Sequence, residues 1–442
     1  RMIPLETGPG GRLPMLDGRR TLLRAAGAVD GVRKIAPASI LIEDREIVAI
    51  GSPETIGVVP EARTIDLPEE VISPALINAH VHLDLTGLGP MPCDRGFEDW
   101  LARIRNSRPT RPFEVAEAVR QGVEASIRGG VVAVGDIAGA LGFASARALA
   151  DSAIGGISFI EVFGIGRRSE NGLDGVDRVI QFAGELPGRP GFGVGIQPHA
   201  PYSCDAATYN AAAASGLPVS THLAETPEEA EFTRFGRGPF LDLLRAVGSL
   251  GAGDTLETGG SHPIDALFAV EPARTWLLAH LNYPAEPDEP EEFLENRLKR
   301  LADRDATVAF CPRASAFLGH PRPGREGHRW RDYLEAGIGV ALGTDGMPCL
   351  DTPDRLSVLD EMRFLAGCEG PVDPCGLFRM ATIAGARGLG LDSNAVTLDA
   401  GPLAGLLAIP GTGPDPVGDL LARTDAPRWL LAPDRAAFGV PR

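Results

Sequence analysis

"LINAHVHLDLT", Leu76 to Thr86, places two of the chain's eight histidines one residue apart at the end of a short apolar run. Side chains on a strand alternate faces with period two, so His80 and His82 point the same way and can reach one ion. The same pattern also suits the polar side of a half-buried strand. The choice between the two depends on how the other apolar runs of the chain end.

"ALINAH" (75–80) is the first of eight such runs. The others are "VVAVGD" (131–136), "ISFIEVFG" (157–164), "VGIQPH" (194–199), "PVSTHL" (218–223), "TWLLAHL" (275–281), "TVAFCP" (307–312) and "IGVALGTD" (338–345). Helical stretches separate them, which implies βα units on a parallel sheet, and eight such units close a (β/α)8 TIM barrel. "TRPFEVAEAVRQGVEASIRGG" shows typical helix ends, with Pro112 near its start and Gly129 beyond its apolar pattern. In "TPEE", Thr226 reads as N-cap, Pro227 as first helical residue and Glu229 as the partner in a capping box. The charged run "PAEPDEPEEFLENRLKR" reads as a solvated outer face, helical from Glu291. Residues 1–70 and 391–442 carry short alternating strands, among them "ASILIEDREIVAIG" and "NAVTLDAGPLAGLLAIP". They predict a small composite β-sandwich domain built from both termini around a barrel at 71–390.

Composition narrows the function. With 44% apolar and 23% charged residues, the 442-residue chain has the balance of a globular enzyme. A net charge of −17 without any Lys/Arg run argues against nucleic acid and against an anionic membrane surface. The six cysteines contain no C-x-x-C pair, so neither a disulfide framework nor a zinc knuckle is indicated. No segment has the apolar length of a membrane span. The chain reads as a soluble, cytoplasmic protein acting on a small molecule, with a homodimer left open.

Barrel active sites form at the C-terminal ends of the strands. His80, His82, His199, His222, His280 and Asp345 all fall there. Zinc takes imidazole nitrogen and carboxylate oxygen while keeping one position open for water, so His80, His82, His222 and Asp345 make a sensible shell. Fe2+ or Mn2+ suits the same donors. Glu225 could carry a proton between water and substrate, or simply place charge near a helix N-terminus. His280 would steady developing charge, or serve as a structural histidine. Asp345 taken alone reads equally well as a turn residue in "TDGMP".

"SPALINAHVHLD", "PHAPYSCD", "STHLAETPEE" and "ALGTDGMP" resemble, in this order, segments of the amidohydrolase superfamily, in its cytosine/adenosine deaminase and triazine hydrolase branch. The resemblance runs from about Val71 to Leu389. It implies His80, His82, His222 and Asp345 as ligands of one metal, Glu225 and His280 as proton-transfer residues, and His199 as a substrate contact. Binuclear members carry a bridging carboxylated lysine at the fourth strand, whereas the only lysines here, Lys34 and Lys299, lie off the barrel strands. One divalent ion per chain is therefore implied.

"FEDWL" (97–101), "FGRGPFLDLL" (235–244) and "AFCPRASAFLGHP" (309–321) look most like the aminofutalosine deaminases of menaquinone biosynthesis. Those enzymes convert 6-amino-6-deoxyfutalosine and water to futalosine and ammonia. Ser315 departs from them, since histidine is common at that position. A substrate with an adenine ring and a benzoate carboxylate calls for a cation, with Arg313, Arg167 and Arg168 as candidates beside their ordinary role as solvated surface groups. Trp100 would cover the ring or pack in the core. The alternatives are adenosine or S-adenosylhomocysteine deamination, hydrolysis of a chloro, guanidino or formimino compound, and a non-catalytic barrel serving in assembly or regulation.

Overall fold

The computed structural model describes residues 16, 20–94, 96–139, 141–251, 254, 260–270, 276–287, 289–320, 327–369 and 372–439. Residues 1–15 and 17–19 of the expected N-terminal β segment lie outside this set.

Eight strands form one parallel sheet in chain order: β1 (Leu76–Val81), β2 (Val131–Ala138), β3 (Gly155–Val162), β4 (Phe192–Pro198), β5 (Val219–Leu223), β6 (Trp276–His280), β7 (Thr307–Phe310) and β8 (Gly339–Leu342). Nearly every strand residue is buried, because helices cover the outer face and side chains fill the inside. The chain end of β8 returns to β1. There the amides of Thr344 and Asp345 donate to the His80 carbonyl at 3.0 and 3.1 Å. Asn78 Nδ2 donates to Thr344 Oγ1 at 2.7 Å, and Thr344 N donates to Asn78 Oδ1 at 3.1 Å. These bonds bring the ends of the sheet together into the TIM barrel that the eight runs predict.

β1 is not a regular strand. Asn78 pairs with Val134 and Val81 with Asp136, so β1 carries one residue more than β2 over this stretch. Such a bulge re-aims side chains, and bulges cluster beside active sites. Gly135 faces it so closely that a Cβ there would lie 2.1 Å from the Ala79 carbonyl oxygen.

A second eight-stranded sheet joins the two ends of the chain: Thr21–Val29, Lys34–Ile35, Ala38–Glu43, Glu46–Gly51 and Arg63–Pro74 with Gly401–Pro402, Leu406–Pro410 and Arg428–Leu431. Leu406–Pro410 pairs antiparallel with residues 70–74. Leu23, Ile40, Ile72, Leu406 and Leu431 share its core. Only Ala75 separates Arg63–Pro74 from β1, so this sheet is anchored to the barrel's first strand.

Three local expectations change. "NAVT" starts a 3-10 turn, Ser393–Val396, because the Asp392 side chain accepts from Asn394 N at 3.0 Å. The helix Glu291–Asp303 is not wholly solvated: Arg297 is buried, bonded to Asp265 and Glu289. The capping box at Thr226 is one-sided, since Thr226 Oγ1 accepts from Glu229 N while the Glu229 carboxylate reaches past it to Ala224 and Glu225. No helix among the described residues is long and apolar enough to cross a membrane.

Gly135→Ala tests the bulge. Overpacking a tight core costs about 1–3 kcal/mol, and the denaturation midpoint should fall accordingly. An unchanged midpoint would show that the spacing of β1 and β2 can give.

Candidate active site

His80 lies within β1 and His82 one residue beyond it, His222 within β5, and His280 at the end of β6. Asp345 stands three residues past β8, in a left-handed turn with φ 59°. The ring of His80 is 5.3 Å from that of His82, 5.2 Å from His222 and 5.1 Å from His280. Asp345 Oδ1 lies 3.6 Å from His82 Nε2 and 4.0 Å from His80 Nε2.

These side chains could hold a metal ion in two overlapping groups, His80–His82–Asp345 and His80–His222–His280. The two groups share His80 and between them contain the four expected ligands together with His280. The fit to a cation rests on His80. It is wholly buried, and neither of its ring nitrogens has a hydrogen-bond partner, an arrangement that costs about 1–3 kcal/mol per group unless the lone pair is used. His222 Nδ1 lies 3.0 Å from the His199 carbonyl and 3.2 Å from Gln197 Nε2; when Nδ1 donates to the carbonyl, Nε2 is the unprotonated nitrogen. Burial pushes His80 and His82 well below the usual imidazole range and His222 down to about 4. All three are therefore neutral, as ligation requires. Glu161, His199 and His222 form a third group. The carbonyl bond at His222 Nδ1 leaves that ring one nitrogen to give, so it serves a single ion.

The backbone is strained around this centre. Ala224, His280, Leu281 and Asp345 all have positive φ, between 49° and 71°. Residues with a Cβ adopt that conformation at a cost of about 1–3 kcal/mol each, typically at functional sites.

Glu225 faces His280, with Oε1 3.7 Å from Nε2. Burial, then the charges of Asp345 and Glu229, holds its proton affinity well above the usual carboxylate range. Burial raises Asp345 to about 6, against the opposing pull of Gly346 N, which donates to Oδ1 at 2.6 Å. His328 Nε2 donates to the His280 carbonyl at 2.8 Å and fixes the turn after β6.

A cavity of about 80 Å³ opens over these groups. The helix Phe97–Ser107 supplies one wall, through Phe97, Trp100, Leu101 and Ile104. Trp100 packs in the cluster beneath the cavity, as the core reading expects, while also lining it, and donates Nε1–H to the Met91 carbonyl at 3.0 Å. His199 also lines the cavity, its Nδ1 2.8 Å from Ser203 Oγ and its Nε2 3.8 Å from Glu161 Oε1.

The three expected arginines are elsewhere. Arg313 is buried against Asp351, at 2.5 Å, and Glu361, at 3.6 Å. Arg167 is bonded to Asp254, and Arg168 is exposed; none of the three lines the cavity. The cation that does is Arg108, which follows the helix Phe97–Ser107. Its Nη2 donates to Asp84 Oδ2 at 2.9 Å, and its Nη1 lies 3.9 Å from Glu161 Oε2. Gly139 makes room for it, since a Cβ there would fall 1.7 Å from Arg108 Nη2. Nothing local in the sequence marks Arg108. Glu161 did leave a signal, as the one acid inside the apolar run "ISFIEVFG".

A parallel eight-stranded barrel with a histidine–carboxylate centre at its C-terminal mouth defines a class, and comparison with known proteins gives the family. Residues 71–428 match the amidohydrolase family, and the chain belongs to it, as a hydrolase of C–N bonds. Aminodeoxyfutalosine deaminase of Deinococcus radiodurans is 27% identical over 369 residues, 80% of this chain and 82% of that one. 5-Methylthioadenosine/S-adenosylhomocysteine deaminase of Aquifex aeolicus is 27% identical over 338 residues, 73% of this chain and 67% of that one. The structure of a zinc-bound adenosine deaminase from Xanthomonas campestris superposes with a TM-score of 0.68 at 19% identity, covering 95% of this chain and 90% of that one.

His82→Ala should reduce tightly bound divalent metal to well below one ion per chain by elemental analysis, while Arg313→Ala should leave it unchanged. Full metal retention in His82→Ala would remove that residue from the shell.

Proposed function

We propose that this chain is a metal-dependent hydrolytic deaminase of an adenine-type nucleoside, with 6-amino-6-deoxyfutalosine as substrate and zinc as the ion. The observation that carries the reading is one cavity lined by the buried Glu225–His280 pair and by His82, His222 and Asp345, with His80 buried beside them. The deaminases named among its relatives support an amino leaving group over a chloro or formimino one.

A divalent ion, when bound, makes a nucleophile of water at neutral pH by lowering its pKa toward about 7. Glu225 takes one proton of the attacking water and delivers it to N1 of the adenine ring, for which its raised proton affinity suits it. Asp345 takes the second proton and returns it to the amino group, which leaves as ammonia. His280, neutral by burial, hydrogen-bonds the oxygen that adds to the ring carbon. Trp100 and Phe97 cover the ring and exclude water, and His199 contacts it from the other side.

The carboxylate of the substrate falls to Arg108, the cation of the cavity wall. A second reading has its own support: Arg108 already faces two carboxylates, Asp84 and Glu161, which suits an uncharged nucleoside such as 5-methylthioadenosine. The two readings separate in Arg108→Leu. A charged hydrogen bond is worth about 1.5–3 kcal/mol, so KM for 6-amino-6-deoxyfutalosine should rise at least ~10-fold relative to that for 5-methylthioadenosine. Equal effects on both would favour the uncharged nucleoside.

Glu225→Gln tests the chemistry. Ammonia release should fall by at least ~10²-fold, the lower scale of positioned acid–base catalysis, with the metal retained. Near-normal turnover would exclude Glu225 from the proton path. Failure of the unaltered protein to release ammonia from any adenine compound would overturn the function.

A further inference from the structure

Glu225 is not held by its own side chain. Its backbone is gripped at both ends by buried polar groups of other elements. The carboxylate of Glu229, in the helix Pro227–Phe235, accepts from Ala224 N through Oε1 at 3.0 Å and from Glu225 N through Oε2 at 3.0 Å. On the other side Asn282 Nδ2 donates to the Glu225 carbonyl at 3.1 Å, and Ser315 Oγ donates to Asn282 Oδ1 at 3.0 Å. Tyr283 N closes the set by donating to the Ala224 carbonyl at 3.0 Å.

Two features separate this from an ordinary helix cap. A glutamate at the third helical position normally bonds the N-cap amide, yet Glu229 bypasses Thr226 for the two residues before it. One of those, Ala224, has φ 49°, which an L-residue holds only when its surroundings impose it. Glu229 is also fully buried, so its carboxylate serves no solvent-facing purpose.

We propose that Glu229, backed by Asn282 and Ser315, is the positioning group that imposes the strained turn after β5 and so aims Glu225 into the cavity. The inference rests on the deaminase reading for its kinetic consequence, though not for its structural one.

Glu229→Gln leaves one acceptor for two amides and turns an NH2 toward the other. Hydrogen exchange of Ala224 and Glu225 should then speed up at least ~10-fold, while Thr221 and His222 in β5 stay protected and bound metal is unchanged. In the assay kcat should fall ~10–100-fold with KM kept, and Ser315→Ala should lose less. Adding Glu229→Gln to Glu225→Gln should cost nothing further in kcat, because both changes act through one carboxylate. Unchanged exchange at 224 and 225, or additive losses in the double variant, would overturn the proposal. If the unaltered protein proves inactive on adenine compounds, the deaminase reading fails, while the exchange comparison still decides for or against the grip.

Discussion

The carbonyl of His80 is the joint on which the site depends. It accepts the amides of both Thr344 and Asp345, and so fastens the chain after β8 onto β1. The same contact closes the barrel and sets the height of Asp345 against the imidazoles of His80 and His82. Closure and ligand geometry are one constraint here, which is why the bulge at Ala79–His80 and the bare backbone of Gly135 stand directly behind it. A backbone carbonyl cannot slide without disturbing the sheet, so these side chains stand on hydrogen-bonded backbone.

Around that joint, burial does most of the electrostatic work. It drives the imidazoles neutral and raises the carboxylates Asp345 and Glu225, because charge is poorly solvated in a closed mouth. Such a cluster has abundant lone pairs and few protons. A divalent ion is the natural complement, since it would take the unprotonated one of the two orphaned nitrogens of His80 and balance the buried acids. The lining also carries aromatic side chains, and its charges Arg108 and Glu161 already face one another.

The arginines show where reading along the chain stops. Arg313 follows β7, where a barrel places its functional groups, yet Asp351 and Glu361 consume its guanidinium. Arg108 follows a helix end with no pattern to recommend it, and reaches the cavity through the gap at Gly139, 31 positions later in the chain. Fork geometry makes arginine useful only where acceptors lie in its plane. That condition is set by partners from distant segments.

What the sequence determined by itself is everything that repeats with a local period: eight apolar runs, the helices between them, and histidines at the ends of those runs. Alternation and capping act over a few residues, so they are legible in order along the chain. Its resemblance to the amidohydrolases implied the same four residues as metal ligands and the same role for Glu225 that the run ends had suggested. Tertiary structure alone decided that Asp345 lies in a strained turn beyond β8, that Glu229 grips the backbone of Glu225 instead of capping its own helix, and that Arg108 is the cation of the cavity. Asp345 and Arg108 are placed by contacts between distant segments, whereas the Glu229 grip spans only four or five residues and is set by the strained turn it closes on. No local pattern encodes which buried donor will find which acceptor.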